Sequence, residues 1–171
     1  MNTKFALVRF IVAGMLLVPG VAMSQATKAQ AKLAAEMGTA KHVPLADGIV
    51  TASATGKPIS ARYEFEDGKL LLSVFVEKGG AFSEVFVDHM TGKVSKIDKI
   101  TGGDDLKDAK VQSKASAKAT ATLASAVATA LAANPGYIVV DVTPLAIGKV
   151  ITAEITLMKD GKFKAASYPI S

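Results

Sequence analysis

A strand, turn, strand, Gly-turn, strand pattern occurs twice in this chain, each time after a stretch able to form a helix. The first copy spans residues 59–88 and the second spans residues 137–170. In the first copy Ile59, Ala61, Tyr63 and Phe65 alternate with Ser60, Arg62, Glu64 and Glu66. Strict alternation puts one side of a strand on a core and the other in water. By that reading Glu64 and Glu66 lie beside Arg62 on a charged outer face rather than forming an acid/base pair. Asp67-Gly68 is a hairpin turn, because both residues tolerate positive φ. The partner strand carries Leu70, Leu72, Val74 and Val76 on one face, while Leu71 and Phe75 make its other face partly apolar. That second face predicts a cover or the lining of a pocket. Lys78-Gly79-Gly80 turns the chain into a third strand, residues 82–88.

The second copy repeats this order. Residues 137–143 alternate Ile138, Val140 and Val142 against Tyr137, Val139 and Asp141. Residues 150–158 place Ile151, Ala153, Ile155 and Leu157 on one face, Lys159-Asp160-Gly161 turns, and Pro169 marks the last strand as an edge or a chain end. Ahead of the first copy, Pro44 suits a first helical position, with Leu45, Ile49 and Ala52 on one face. Ahead of the second, residues 117–133 contain neither Gly nor Pro and carry the stripe Leu123, Val127, Leu131. This predicts a helix over 117–133, with an extension back to Asp104 left open.

The fold class that follows is α+β, with two tandem units, each one helix packed on a three-stranded antiparallel sheet. The expected divisions are a secretory signal over 1–24, a helical leader over 25–43, unit one over 44–100, a polar linker or helix extension over 101–116, and unit two over 117–171. Leu33 and Met37 are spaced i, i+4 in the leader, which reads either as a peripheral helix or as a frayed segment.

The signal rests on Lys4 and Arg9, an apolar run from Phe10 to Val18, the Pro19-Gly20 break, and two small-x-small sites ending at Ser24 and Ala26. The apolar run is shorter than the roughly 20 residues of an ordinary membrane span. Cleavage near residues 24–26 gives a periplasmic or secreted bacterial protein with no stable membrane insertion. Cysteine is absent, which excludes disulfides, thiolate metal sites and lipid attachment at a cysteine. Loss of Lys4 and Arg9 lowers the net charge from +5 to +3. Scattered lysines, few aromatics and no Trp argue against a nucleic-acid partner.

The first copy resembles the PepSY domain. The residues that carry the resemblance are Gly56-Lys57-Pro58-Ile59-Ser60-Ala61, Glu66-Asp67-Gly68, Ser73-Val74-Phe75-Val76, Val85-Phe86-Val87-Asp88 and Thr91-Gly92-Lys93-Val94. They cover about residues 44–97. The second copy, about 117–171, lacks the Asp and Thr-Gly signature and resembles the family more weakly. The resemblance implies one helix on an antiparallel sheet, no catalytic role, and regulation or inhibition of a peptidase as the first function to test.

Other chemistry finds little footing. Asp88, at a strand end before Thr91-Gly92, reads as a turn-former that accepts backbone N–H groups, as Asp67-Gly68 reads at the first hairpin. His42 and His89 are the two histidines; they read as exposed loop residues, well short of the three or four ligands of a zinc site. There is no nucleophile elbow, Ser-x-x-Lys or phosphate loop. The expectation is therefore a non-enzymatic, cofactor-free, metal-free secreted module that binds a protein, in particular an envelope or extracellular peptidase. Contact is expected through Phe82, Glu84, Phe86 and Asp88 on the third strand and through the hairpin tip 77–81, by groove occlusion or strand addition. The alternatives are a small-ligand or metal-binding periplasmic protein and a structural envelope protein.

Overall fold

A computed structural model describes residues 28–39 and 41–171. The expected secretory signal and its expected cleavage site fall outside the described residues. The elements are α1 (Lys28–Thr39), α2 (Leu45–Ala52), β1 (Lys57–Glu66), β2 (Lys69–Lys78), β3 (Ala81–Val87), β4 (Val94–Ile100), α3 (Gly103–Ser116), α4 (Leu123–Ala133), β5 (Ile138–Ile147), β6 (Val150–Lys159) and β7 (Lys162–Pro169).

All seven strands form one antiparallel sheet in the order β4-β3-β2-β1-β5-β6-β7. This corrects the expectation of two tandem helix-on-three-strand units. The two meanders meet through their first strands: Ala61 pairs with Val142 and Arg62 with Asp141. A β1 buried on both sides by neighbours has no reason to end a separate sheet. The Asp-Gly hairpins do form, with Asp67 and Gly68 at φ +48 and +77 and Asp160 and Gly161 at φ +50 and +72. Positive φ at both central residues matches the right-handed twist of the flanking strands.

Helices α1, α2 and α4 cover one face of the sheet. Leu33 and Met37 of α1, Leu45, Ile49 and Ala52 of α2, and Leu123, Ala126, Val127 and Ala130 of α4 are buried there. They pack on Ala61, Tyr63, Leu72, Val74 and Val85 from one half of the sheet and on Val142, Ile155 and Leu157 from the other. One core therefore runs across both halves. Gly48 lets α2 lie close on β2: a Cβ there would sit 2.5 Å from a Leu72 methyl.

Residues 94–100 form a fourth strand, β4, beyond the three expected in the first meander. Its presence places β3 between two partners, so β3 is not a free edge; the outer strands are β4 and β7. The polar stretch expected as a linker or helix extension is the separate helix α3, lying across β1, β2 and β5 on the second face. Residues 117–122 carry the chain around to the first face, and α4 begins only at Leu123, where the Thr122 hydroxyl accepts the Ser125 N–H at 3.1 Å. Composition favours helix through 117–122, but tertiary geometry and this cap override it. A bulge between Val139 and Asp141 turns both Val139 and Val140 inward, which strict alternation cannot do.

Candidate functional site

The covered second face holds a charge cluster that the sequence reading placed in solvent. Arg62 and Glu64 stand on β1 two residues apart, so both point toward α3. Their side chains are 18% and 21% exposed and are joined Nε to Oε2 at 3.1 Å. The guanidinium lies 5.2 Å from the centre of the Phe75 ring. Opposite it on β5 is Asp141, whose carboxylate accepts from the Thr143 hydroxyl at 3.4 Å. Two strands away Glu84 accepts a hydrogen bond from the Ser73 hydroxyl. Asp105 approaches from the first turn of α3.

Burial dominates the titration of these carboxyls. It pushes Glu84 up to about 7, against the hydrogen bond from Ser73, with Glu64 adding to the rise. It pushes Asp141 up to about 6, opposed by Arg62 and by Thr143. Asp105 is raised by burial and by Asp108 and Asp104, opposed by Arg62. Burial opposes the charge on Arg62, but Glu64, Asp141 and Glu84 together hold its pKa above the ordinary value. Asp141 and Glu84 went unrecognised in this role. The available signal was a lone carboxylate inside the apolar run Ile138–Val142, paired with an Arg in mid-strand.

The residues expected to contact a partner do not form one surface. Phe82 is half-buried and packs against Ile59, Phe75 and Ala109. Glu84 belongs to the cluster just described. Phe86 is half-buried under Lys96, whose Nζ lies 5.7 Å from the ring centre. Asp88 is exposed and is occupied by its own turn. Its Oδ1 accepts from Met90 N at 3.0 Å, Thr91 N at 2.7 Å and the Thr91 hydroxyl at 2.9 Å, and these bonds lower its pKa. Gly92, at φ +70, closes the turn by donating to the Asp88 carbonyl at 2.8 Å.

This turn is tied to the helical layer. Val43 N donates to the His89 carbonyl at 2.7 Å, the Thr51 hydroxyl donates to the Gly92 carbonyl at 3.0 Å, and the Tyr63 hydroxyl donates to the Val43 carbonyl at 2.5 Å. His42 stacks edge-on against Tyr63 with ring centres 5.7 Å apart. Neither histidine is an exposed loop residue: both are half-buried, and each has a buried Nδ1 without a hydrogen-bond partner. Among the described residues, no three or more His, Asp or Glu side chains gather as metal ligands.

Two further features lie near this turn. Strand β2 continues three residues past its last partner on β3, the pair Leu72 and Val87, so Lys69, Leu70 and Leu71 border a notch in the sheet. A cleft of about 410 Å³ opens there, lined by Leu70, Leu72, Phe86, Asp88, His89 and Glu36 among others. Beside it, among the described residues, the outer edge of β4 pairs with no other strand. Ile97 and Val94 on that strand are 49% and 39% exposed, and Met90 in the turn before it is 60% exposed. Lys93, Lys96 and Lys99 flank these apolar groups; Lys96 pairs with Asp98 at 2.6 Å.

Among the described residues, no helix is long and apolar enough to cross a membrane. No family profile and no curated protein matches the chain. A solved structure of a candidate lipoprotein from Clostridium difficile 630 is similar at 18% identity and a TM-score of 0.40, covering 77% of this chain and 97% of that one.

Proposed function

We propose that this chain is a non-enzymatic binding protein of the bacterial envelope or exterior that captures an extended segment of a protein partner along β4. The observation that carries the reading is the outer edge of Val94–Ile100, free among the described residues, with Val94 and Ile97 exposed on it. An added strand satisfies the unpaired main-chain groups, and its alternate side chains meet the exposed apolar ones. Lys93, Lys96 and Lys99 keep such an edge from pairing with copies of itself and select a segment that carries acidic residues. The N-terminal signal motif supports the compartment. The PepSY resemblance of residues 44–97 puts a peptidase first among partner classes. A peptidase handles extended chains, so strand capture at β4 would act on it without any chemistry from this protein.

A direct test is an NMR titration of the mature chain with a peptide of alternating Val and Glu, followed by an inhibition assay on a secreted metallopeptidase. Binding should shift the amides of residues 94–100 most and should vanish in Ile97→Lys. Uniform small shifts, or shifts unaffected by Ile97→Lys, contradict the reading. The half-open cleft at Leu70, Phe86 and His89 is where a second reading, a small amphipathic ligand, would be tested. Shifts confined to its lining residues in a fragment screen would support that reading instead.

A further inference from the structure

Helix α3 is held to the sheet differently from the other helices. Its sequence, GDDLKDAKVQSKAS, buries only Ala109, Ala115 and Ser116; most of its other side chains are polar or charged, and Val111 is 58% exposed. The Ser60 hydroxyl meets Gln112 Oε1 at 2.8 Å, and Lys57 Nζ donates to the Ser116 carbonyl at 2.8 Å. Ala109 sits on a small apolar group of Ile59 and Phe75, with Phe82 and Ile100 packed around it.

Beside that group lies the Arg62 cluster. Glu84 faces Arg62 and Glu64 from β1, Ser73 from β2, and Asp105 from α3. Its cross-strand partner on β4 is Asp98, which Lys96 engages. Asp141 faces Arg62 and Glu64 and is bonded to Thr143. Asp104 and Asp108 add negative charge around Asp105. One guanidinium is thus set against the carboxylates of Glu64, Glu84, Asp141 and Asp105. Like charges in a dehydrated space cost free energy, and the cost falls when some of them take up protons or when water returns.

We propose that α3 is a proton-latched cover, docked while Glu84 and Asp141 are protonated and released from the β1, β2 and β5 face when they are charged. Release uncovers Ile59, Phe75 and Phe82 around Arg62, an apolar patch with one cation at its centre. The direction follows from linkage. In the folded chain burial holds Glu84 at about 7 and Asp141 at about 6, above their ordinary values of 4.5 and 3.8, and α3 is the helix that lies over β1, β2 and β5 at this cluster, so the latch takes α3 as the source of that burial. The docked form therefore binds more protons than the released form. Its advantage is full below the ordinary values and is lost as pH rises through about 6 and then about 7. The latch does not depend on the strand-capture reading of β4.

Amide hydrogen exchange of the mature chain between pH 5 and 8.5, with each rate divided by its intrinsic value, reads the latch directly. Protection of residues 103–116 should fall by about tenfold or more on going from pH 5.5 to 8, one pKa unit being tenfold in population. β6 should remain better protected than residues 103–116 at pH 8, because α3 opens without global unfolding. In Glu84→Gln with Asp141→Asn the fall in α3 should disappear; should that pair not fold, Glu84→Gln alone should reduce it. The latch is overturned if α3 in the wild-type chain follows β6 across the range. It is also overturned if the substitutions leave the pH dependence as it was.

Discussion

Two side-chain positions show how local chemistry sets the terms of this fold. Gly48 sits inside α2, where Ala would gain about 1 kcal/mol of helix propensity. The neighbouring Leu72 side chain leaves no room for a methyl group. Gly48→Ala should therefore destabilise by about 1–2 kcal/mol in urea unfolding, since overpacking outweighs propensity. A gain in stability would show that Leu72 moves aside freely. The second position is Glu84. Its folded pKa of about 7 lies above the ordinary 4.5, so the folded chain gains stability as pH falls from 8 through 7 toward 5. Partial exposure discounts the effect, which together with Asp141 should amount to about 2–3 kcal/mol. Urea melts at pH 5.5 and 8 should show it, and Glu84→Gln should remove roughly half of it. Arg62 and Glu64 were legible as neighbours on one strand face. Their dehydration was not, because alternation says which side a residue takes and not what lies above it.

At the scale of elements, the hairpins could be read directly, since an Asp-Gly pair between alternating strands leaves few other conformations. The helix at Leu45–Ala52 showed in its apolar spacing despite Gly48. Strand β4 was hidden because its side chains are exposed or half-exposed, so no alternation marks it. The break at 117–122 was hidden because Ala, Ser and Thr allow a helix there, and only the Thr122 cap and the bonds from Thr120 N and Ala121 N to the Ile170 carbonyl, at 2.7 and 3.2 Å, fix it. The leader was open between a peripheral helix and a frayed segment, and the structure docks residues 28–39 on the core through Leu33, 1% exposed, and Met37. Leu33→Ala should accordingly cost about 2–4 kcal/mol by thermal or urea unfolding. A loss under about 0.5 kcal/mol would mean that α1 adds little to the core. On β4, Ile97→Lys should change stability by no more than about 0.5 kcal/mol, as expected for an exposed position, while abolishing peptide capture.

At the scale of the molecule, the repeated order of elements was visible in the sequence, but the way the copies combine was not. Pairing β1 with β5 takes two residue pairs, Ala61 with Val142 and Arg62 with Asp141, and neither strand announces it. What unites the halves is the shared layer beneath α2 and α4, which pack against each other over a core drawn from both meanders. The candidate site depends on this union, because Arg62 and Asp141 come from different halves and meet only where the two are one sheet. A body whose main core is drawn from both halves should unfold as one cooperative unit. Differential scanning calorimetry of the mature chain at pH 6 tests this most directly. A single transition whose calorimetric and van't Hoff enthalpies agree is the expected result. Two resolved transitions, or a van't Hoff enthalpy well below the calorimetric value, would mean that the halves fold apart and that the Arg62–Asp141 seam does not join them.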